Sequence, residues 1–236
     1  MDFESFNGEQ FIEKYGKHIF IGVGIVIVAA LVATLISYSS TNKEKQAQDK
    51  FYALDAKVQK FREDKLKASA PQADKKEDVA QVKIDVNQLK SELNQFASEY
   101  QGTVAGQMAS LQLSQILSDE GNPGEALTLL QKAETKSDSL ANTLVRMKIA
   151  QLFSDQDKCQ DAITLWGKII SSKSASFVHA EAKLNQALCY KKLNELAKAE
   201  EILNQVRNEK SEESVDASRE AERILRLIQF NKAIGT

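Results

Sequence analysis

The chain has 236 residues, 42% hydrophobic and 27% charged, with 31 basic side chains nearly balancing 33 acidic ones for a net charge of −2. That balance excludes a disordered polyelectrolyte and offers no basic excess for nucleic acid, while only two prolines interrupt helix formation. Ala, Leu, Lys, Glu and Gln dominate and strand-like alternation is nearly absent, so the predicted class is all-α.

Residues 1–18 read as a short leader, and Ile19 to Tyr38 then run twenty residues without a charge. As a helix this run is roughly 30 Å long, the thickness of a bilayer's hydrocarbon core. A secretory signal peptide fits poorly. It needs a basic leader and an apolar core of about 7 to 15 residues. This leader carries Asp2, Glu4, Glu9 and Glu13 against Lys14 and Lys17, and Ser37-Tyr38-Ser39 is a weak cleavage site. The expectation is one retained transmembrane helix at 19–38. Gly22, Ala29 and Ala33 fall near one of its faces, where small side chains permit a partner helix to approach. Charge bias leaves orientation open: Lys14 and Lys17 precede the span, Lys43, Lys45, Lys50 and Lys57 follow it, and long domains translocate regardless of such counts.

Residues 39–101 are expected to form amphipathic helices around a flexible insertion near 66–80. Phe51, Leu54, Val58 and Phe61 make one apolar stripe. Leu66 to Ala80 loses periodicity and contains Pro71. Val82, Val86, Leu89, Leu93, Phe96 and Tyr100 then form a second stripe, spaced like a coiled-coil seam. Packing within the chain and self-association both fit this seam, and its short length favours the first.

Gly102 is predicted to end that helix, and residues 102–236 form a repeat domain with a C-terminal capping helix. Three segments align on Ala126, Ala162 and Ala199, at intervals of 36 and 37 residues. Twelve residues earlier stand Ser114, Ala150 and Ala187; nine earlier, Leu117, Phe153 and Tyr190; four later, Leu130, Trp166 and Leu203. Small residues let paired helices approach, and large ones fill the space between neighbouring repeats. Asn122 ahead of Pro123 and Glu125, Asp157 with Gln160, and Asn194 read as N-caps that start the second helix of each repeat. The last helix, Ser214 to Phe230, turns Ala217, Ala221, Ile224, Leu225 and Ile228 toward the stack, with Arg219, Arg223 and Arg226 on a solvated face.

At these positions the chain resembles the tetratricopeptide repeat family, which implies a helical repeat solenoid over Thr103 to about Lys210. The match is degenerate, since the second family alanine is kept as Ala133 but replaced by Ile169 and Val206. In that family the first helices of the repeats line a concave groove. The corresponding positions are Leu111, Gln115, Met147, Gln151, Leu184 and Leu188, which implies an apolar, amide-dotted surface for extended or unfolded segments. A purely structural role for the leucines is equally compatible.

A longer resemblance covers Phe11 to Lys17 running into the apolar segment, and FASEYQGTVAGQMASLQLSQILSDEGNPGEALTLLQKA from Phe96 to Ala133. These segments resemble the YfgM family of ancillary SecYEG translocon subunits. The resemblance implies a bacterial inner-membrane protein with a cytoplasmic N-terminus and a periplasmic repeat domain. The implied partners are the translocon, a periplasmic chaperone such as PpiD, and unfolded secretory or outer-membrane proteins. Arg62 to Gln81 looks like an insertion relative to that family.

Catalysis finds no motif: His18 and His179 are the only histidines, no metal-ligand spacing or phosphate loop occurs, and neither an enzymatic activity nor a cofactor is expected. Cys159 and Cys189, the only thiols, are open to pairing in an oxidising compartment or to separate burial, the latter being the simpler reading. Two function classes follow: an adaptor at the translocon, and a repeat scaffold of another envelope complex serving division or outer-membrane assembly. Protease added to intact spheroplasts should digest the C-terminal domain. Its survival until lysis would place that domain on the cytoplasmic side.

Overall fold

A computed structural model describes residues 41–67, 85–209 and 211–234. The predicted leader, the 19–38 segment with Gly22, Ala29 and Ala33, and residues 68–80 of the predicted insertion lie outside them. No helix among the described residues is long and apolar enough to cross a membrane. The chain divides into two compact units, 1–46 and 47–236.

The described residues of the second unit form helices joined by turns, with no strand among them, as the composition predicts. The elements are α1 (41–67, beginning in the first unit), α2 (Val86–Glu99), α3 (Val104–Asp119), α4 (Pro123–Ala133), α5 (Leu140–Asp155), α6 (Cys159–Ser171), α7 (His179–Lys192), α8 (Leu196–Arg207) and α9 (Val215–Ile234). Helix α1 reaches two residues into the predicted insertion, through Leu66 and Lys67.

Both predicted stripes before the repeats face inward over their described residues, Val82 lying outside these. Leu54 and Val58 of α1 share a core with Leu89, Leu93 and Phe96 of α2, and Phe51 and Phe61 pack against its edge. Ala47, which the spacing did not single out, is fully buried with them. Lys57 pairs with Glu92 at 2.6 Å and Lys50 with Glu99 at 3.4 Å, so the two helices run antiparallel. Exposed pairs of this kind contribute at most about 1 kcal/mol each. The apolar seam supplies the larger part, on the order of 1.5–3 kcal/mol per buried leucine. The seam of α2 is therefore spent on its own chain.

Three hairpins follow, α3 with α4, α5 with α6 and α7 with α8, and α9 packs on α7 and α8. Every small residue of the repeat register is sealed: Ser114, Ala150, Ala187, Ala126, Ala162 and Ala199 are 0% exposed. Leu130, Trp166 and Leu203 lie beside them, also buried. A larger side chain at the small positions would force the paired helices apart, an overpacking that costs typically 1–3 kcal/mol.

The turns within the hairpins differ from the predicted caps. Asn122 sits at the N-cap of α4, but its side chain makes no capping bond. Asp157 and Asn194 precede the N-cap positions, which Lys158 and Glu195 occupy. Both instead hold left-handed backbone, with φ of 59° and 60°, matching Gly121 at 82°. Gly121, Asp157 and Asn194 are thus equivalent, one in each repeat. Each closes the preceding helix with the same two bonds, as in Asn122 N–H to the Leu117 carbonyl (2.8 Å) and Gly121 N–H to the Ser118 carbonyl (3.0 Å). The 6→1 bond recurs from Lys158 to Phe153 at 2.8 Å and from Glu195 to Tyr190 at 2.9 Å. This is a Schellman motif, in which Gly, Asn or Asp tolerates the left-handed position. Side-chain caps belong to other helices: Thr103 accepts from Gly106 N–H, and Ser139 accepts from Asn142 N–H.

The segment between α4 and α5 is organised by Asn142, which is fully buried. Its amide donates to the carbonyls of Thr135 (2.9 Å) and Ser137 (2.7 Å), and its oxygen accepts from Thr135 N–H (2.8 Å) and from Gln107 (3.1 Å). A buried polar group is tolerated when its bonds are all made, and this one ties three segments together.

Helix α9 carries its predicted face inward, with Ala221, Ile224, Leu225 and Ile228 buried beside Leu203 and Val206. Arg219, Arg223 and Arg226 pair with Asp216, Glu220 and Glu222 of the same helix. Its outer surface also shows Leu227, Phe230 and Ile234, so it is not wholly polar.

The left-handed turns yield a paired prediction. At Gly121 a Cβ would meet nothing within 4 Å, so Gly121→Ala should cost about 1 kcal/mol through backbone alone. Asn194→Gly should be neutral or stabilising, by up to about 0.5 kcal/mol. Urea denaturation reads both, and an unchanged Gly121→Ala midpoint would remove the Schellman assignment.

Candidate interaction face

The six residues expected to form a groove lie on α3, α5 and α7, which alternate with α4, α6 and α8 along the stack. Gln115 and Gln151 are exposed, while Leu111 and Met147 are half-buried against the larger core. Leu188 is half-buried against the C-terminal core. Leu184 differs from the others: only 9% exposed, it is a member of that core.

Side chains connect the exposed ends of these helices. Lys148 on α5 donates to Gln115 on α3 at 2.9 Å, and Gln115 donates to Asp119 at 2.7 Å. Lys65 of α1 reaches the same carboxylate at 2.5 Å. The Lys65 ammonium holds the Asp119 carboxyl below its usual range, assisted by Gln115 and opposed by partial desolvation. The outer edge of α1, α3 and α5 is therefore a linked polar surface.

Gln151 and Leu188 meet in a cleft of about 430 Å³, lined also by Ser154, Asp155, Asn185, Lys191, Lys192 and Trp166. Helices α5 and α7 form its sides, and the Trp166 indole of α6 belongs to its lining. The Trp166 side chain is 2% exposed, and its Nε1–H has no acceptor in the protein. A buried donor without an acceptor costs about 1–3 kcal/mol. Leucine is the minority in this lining, and amides and charged groups predominate. Such a cleft suits a chain with backbone amides and carbonyls better than a purely apolar ligand. A second cleft, about 470 Å³, is bounded by α2, α3 and α4 and includes Lys90, Asn94, Gln101, Leu129 and Lys132.

Of this lining, family spacing had marked Gln151 and Leu188. It did not mark Ser154, Asn185, Lys191 or Lys192, although each lies three or four residues from one of those two on the same helix. Trp166 was legible only as packing.

The remaining chemically active groups are engaged locally. His179 Nε2–H donates to the Ser172 carbonyl at 2.8 Å, across the 3₁₀ turn Lys173–Val178. Among the described residues, no group of three or more His, Cys, Asp or Glu is placed to hold a metal ion. Cys159 and Cys189 are buried free thiols in the same core. Both are unpaired and buried, the simpler of the two readings of the sequence.

A family model for a tetratricopeptide repeat-like domain matches residues 9–179, more than half of the chain. No curated protein and no solved structure matches it.

Truncation separates core from surface on α5 and α7. Leu184→Ala should lose about 2–5 kcal/mol of stability, whereas Gln151→Ala should stay within about 0.5 kcal/mol. Equal denaturation midpoints for the two variants would place Leu184 outside the core.

Proposed function

We propose, because this chain belongs to the tetratricopeptide repeat-like domain family, that its helical stack is a protein–protein interaction scaffold whose working surface is the α5–α7 cleft. The observation that carries this reading is the composition of the cleft. Gln151, Asn185, Ser154 and the two lysines line it beside Trp166, and their donors and acceptors match the polar backbone of an extended segment. Repeat domains of this kind are generally scaffolds without catalytic activity, which agrees with the absence of a catalytic motif from the sequence.

The finer proposal is a membrane-anchored periplasmic adaptor at the SecYEG translocon. The uncharged run Ile19 to Tyr38 supports the anchor, and the resemblance across Phe11 to Lys17 and Phe96 to Ala133 supports the translocon. Gly22, Ala29 and Ala33 would face the channel, while the cleft would engage emerging proteins or a chaperone such as PpiD. The anchor keeps the cleft close to its clients, raising their effective concentration without any further contact.

Photo-crosslinkers at Gly22, Gln115 and Gln151 of the full chain, activated in intact cells, test both levels. Adducts with translocon subunits from Gly22, and with chaperone or unfolded secretory protein from the glutamine positions, are expected. Strong adducts with division or outer-membrane assembly proteins, and none with the translocon, would replace the adaptor by the envelope scaffold.

A further inference from the structure

The two thiols of this chain lie on different repeats. Cys159 is the first residue of α6, in the second hairpin, and Cys189 lies near the end of α7, in the third. They are 2% and 0% exposed. Ser154 at the end of α5 lies between them: Cys189 Sγ–H donates to its hydroxyl at 3.3 Å, Cys159 follows it by five residues across the turn 156–158, and α6 packs directly on α7. Lys192 covers this corner, donating to the Ser154 carbonyl at 2.8 Å. The only two sulfhydryls of 236 residues thus share the junction between two hairpins.

We propose that Cys159 and Cys189 form an intramolecular disulfide that staples the second hairpin to the third. Each thiol gives up its proton and the pair gives up two electrons as the S–S bond forms. The acceptor is a disulfide, either of a thiol–disulfide exchange protein or of oxidised glutathione, whose S–S bond breaks to give two thiols that take up both protons. Timing follows from burial. In the finished stack neither sulfur is accessible, and burial, with the Cys189 contact adding to it, pushes the Cys159 thiol up to about 11, so little nucleophilic thiolate exists at neutral pH. The bond therefore forms while α7 is still docking, and once formed it is shielded from reductants. The inference is independent of the translocon reading: it requires only that the chain fold in the presence of a disulfide donor.

The test uses the full chain in detergent, unfolded with reductant and then refolded in mixed oxidised and reduced glutathione. The refolded protein is denatured, alkylated and weighed intact. The expected product is a monomer two hydrogens lighter than the dithiol form, without alkyl groups, yielding one linked peptide pair containing Cys159 and Cys189. Its Tm should exceed that of the reduced sample by roughly 5–10 °C, and Cys189→Ala should abolish the oxidant-dependent shift. Protein folded first as the dithiol, then placed in the same buffer, should oxidise at least tenfold more slowly. Two alkyl groups per refolded chain, glutathione adducts or disulfide-linked dimers would overturn the staple. Equal oxidation rates from the folded and unfolded states would overturn its timing.

Discussion

Close approach of the paired helices at the small-residue positions is the constraint from which the rest of this structure follows. With Ser114 and Ala126, Ala150 and Ala162, and Ala187 and Ala199 all sealed from solvent, each hairpin shuts tightly enough for a large side chain four residues on to fill the next layer. Tight hairpins leave room for only three turn residues, 120–122, 156–158 and 193–195. So short a reversal requires a left-handed residue to end the first helix, and Gly121, Asp157 and Asn194 meet that need. The packing register and the turn register are the same register, offset by five residues.

Apolar periodicity carried most of this architecture into the sequence. The intervals of 36 and 37 residues located the six sealed small positions of the repeat register, and the two stripes before the repeats located Val58, Leu89 and Leu93. Polar residues were harder to place, because Asn and Asp favour helix starts and left-handed turns alike. Asp157 and Asn194 were accordingly read one function away from the one they perform. Asn142 gave no signal at all: a buried amide is recognised by the carbonyls around it, and those become neighbours only after folding. Leu184 and Leu188 show the same limit in the site, since helical spacing places both on α7 but does not reveal that one is core and the other cleft lining.

The division of labour along the stack has a simple physical origin. Helices α3, α5 and α7 are flanked by neighbours on several sides, and their central positions are consumed by packing. What remains exposed is the strip left over at their edges, rich in Gln, Asn, Lys and Asp. A scaffold of this design sets the spacing of its contacts with its core and their chemistry with its edges. Binding chemistry can then change without disturbing the fold.

Helix α7 belongs to two cores at once. Ala182 and Cys189 complete the larger one, while Leu184 and Ala187 open the smaller one shared with α8 and α9. No slip plane separates the C-terminal layer from the body of the stack. Because α9 packs on α7 and α7 lines the cleft, the C-terminal layer and one wall of the cleft share a single helix.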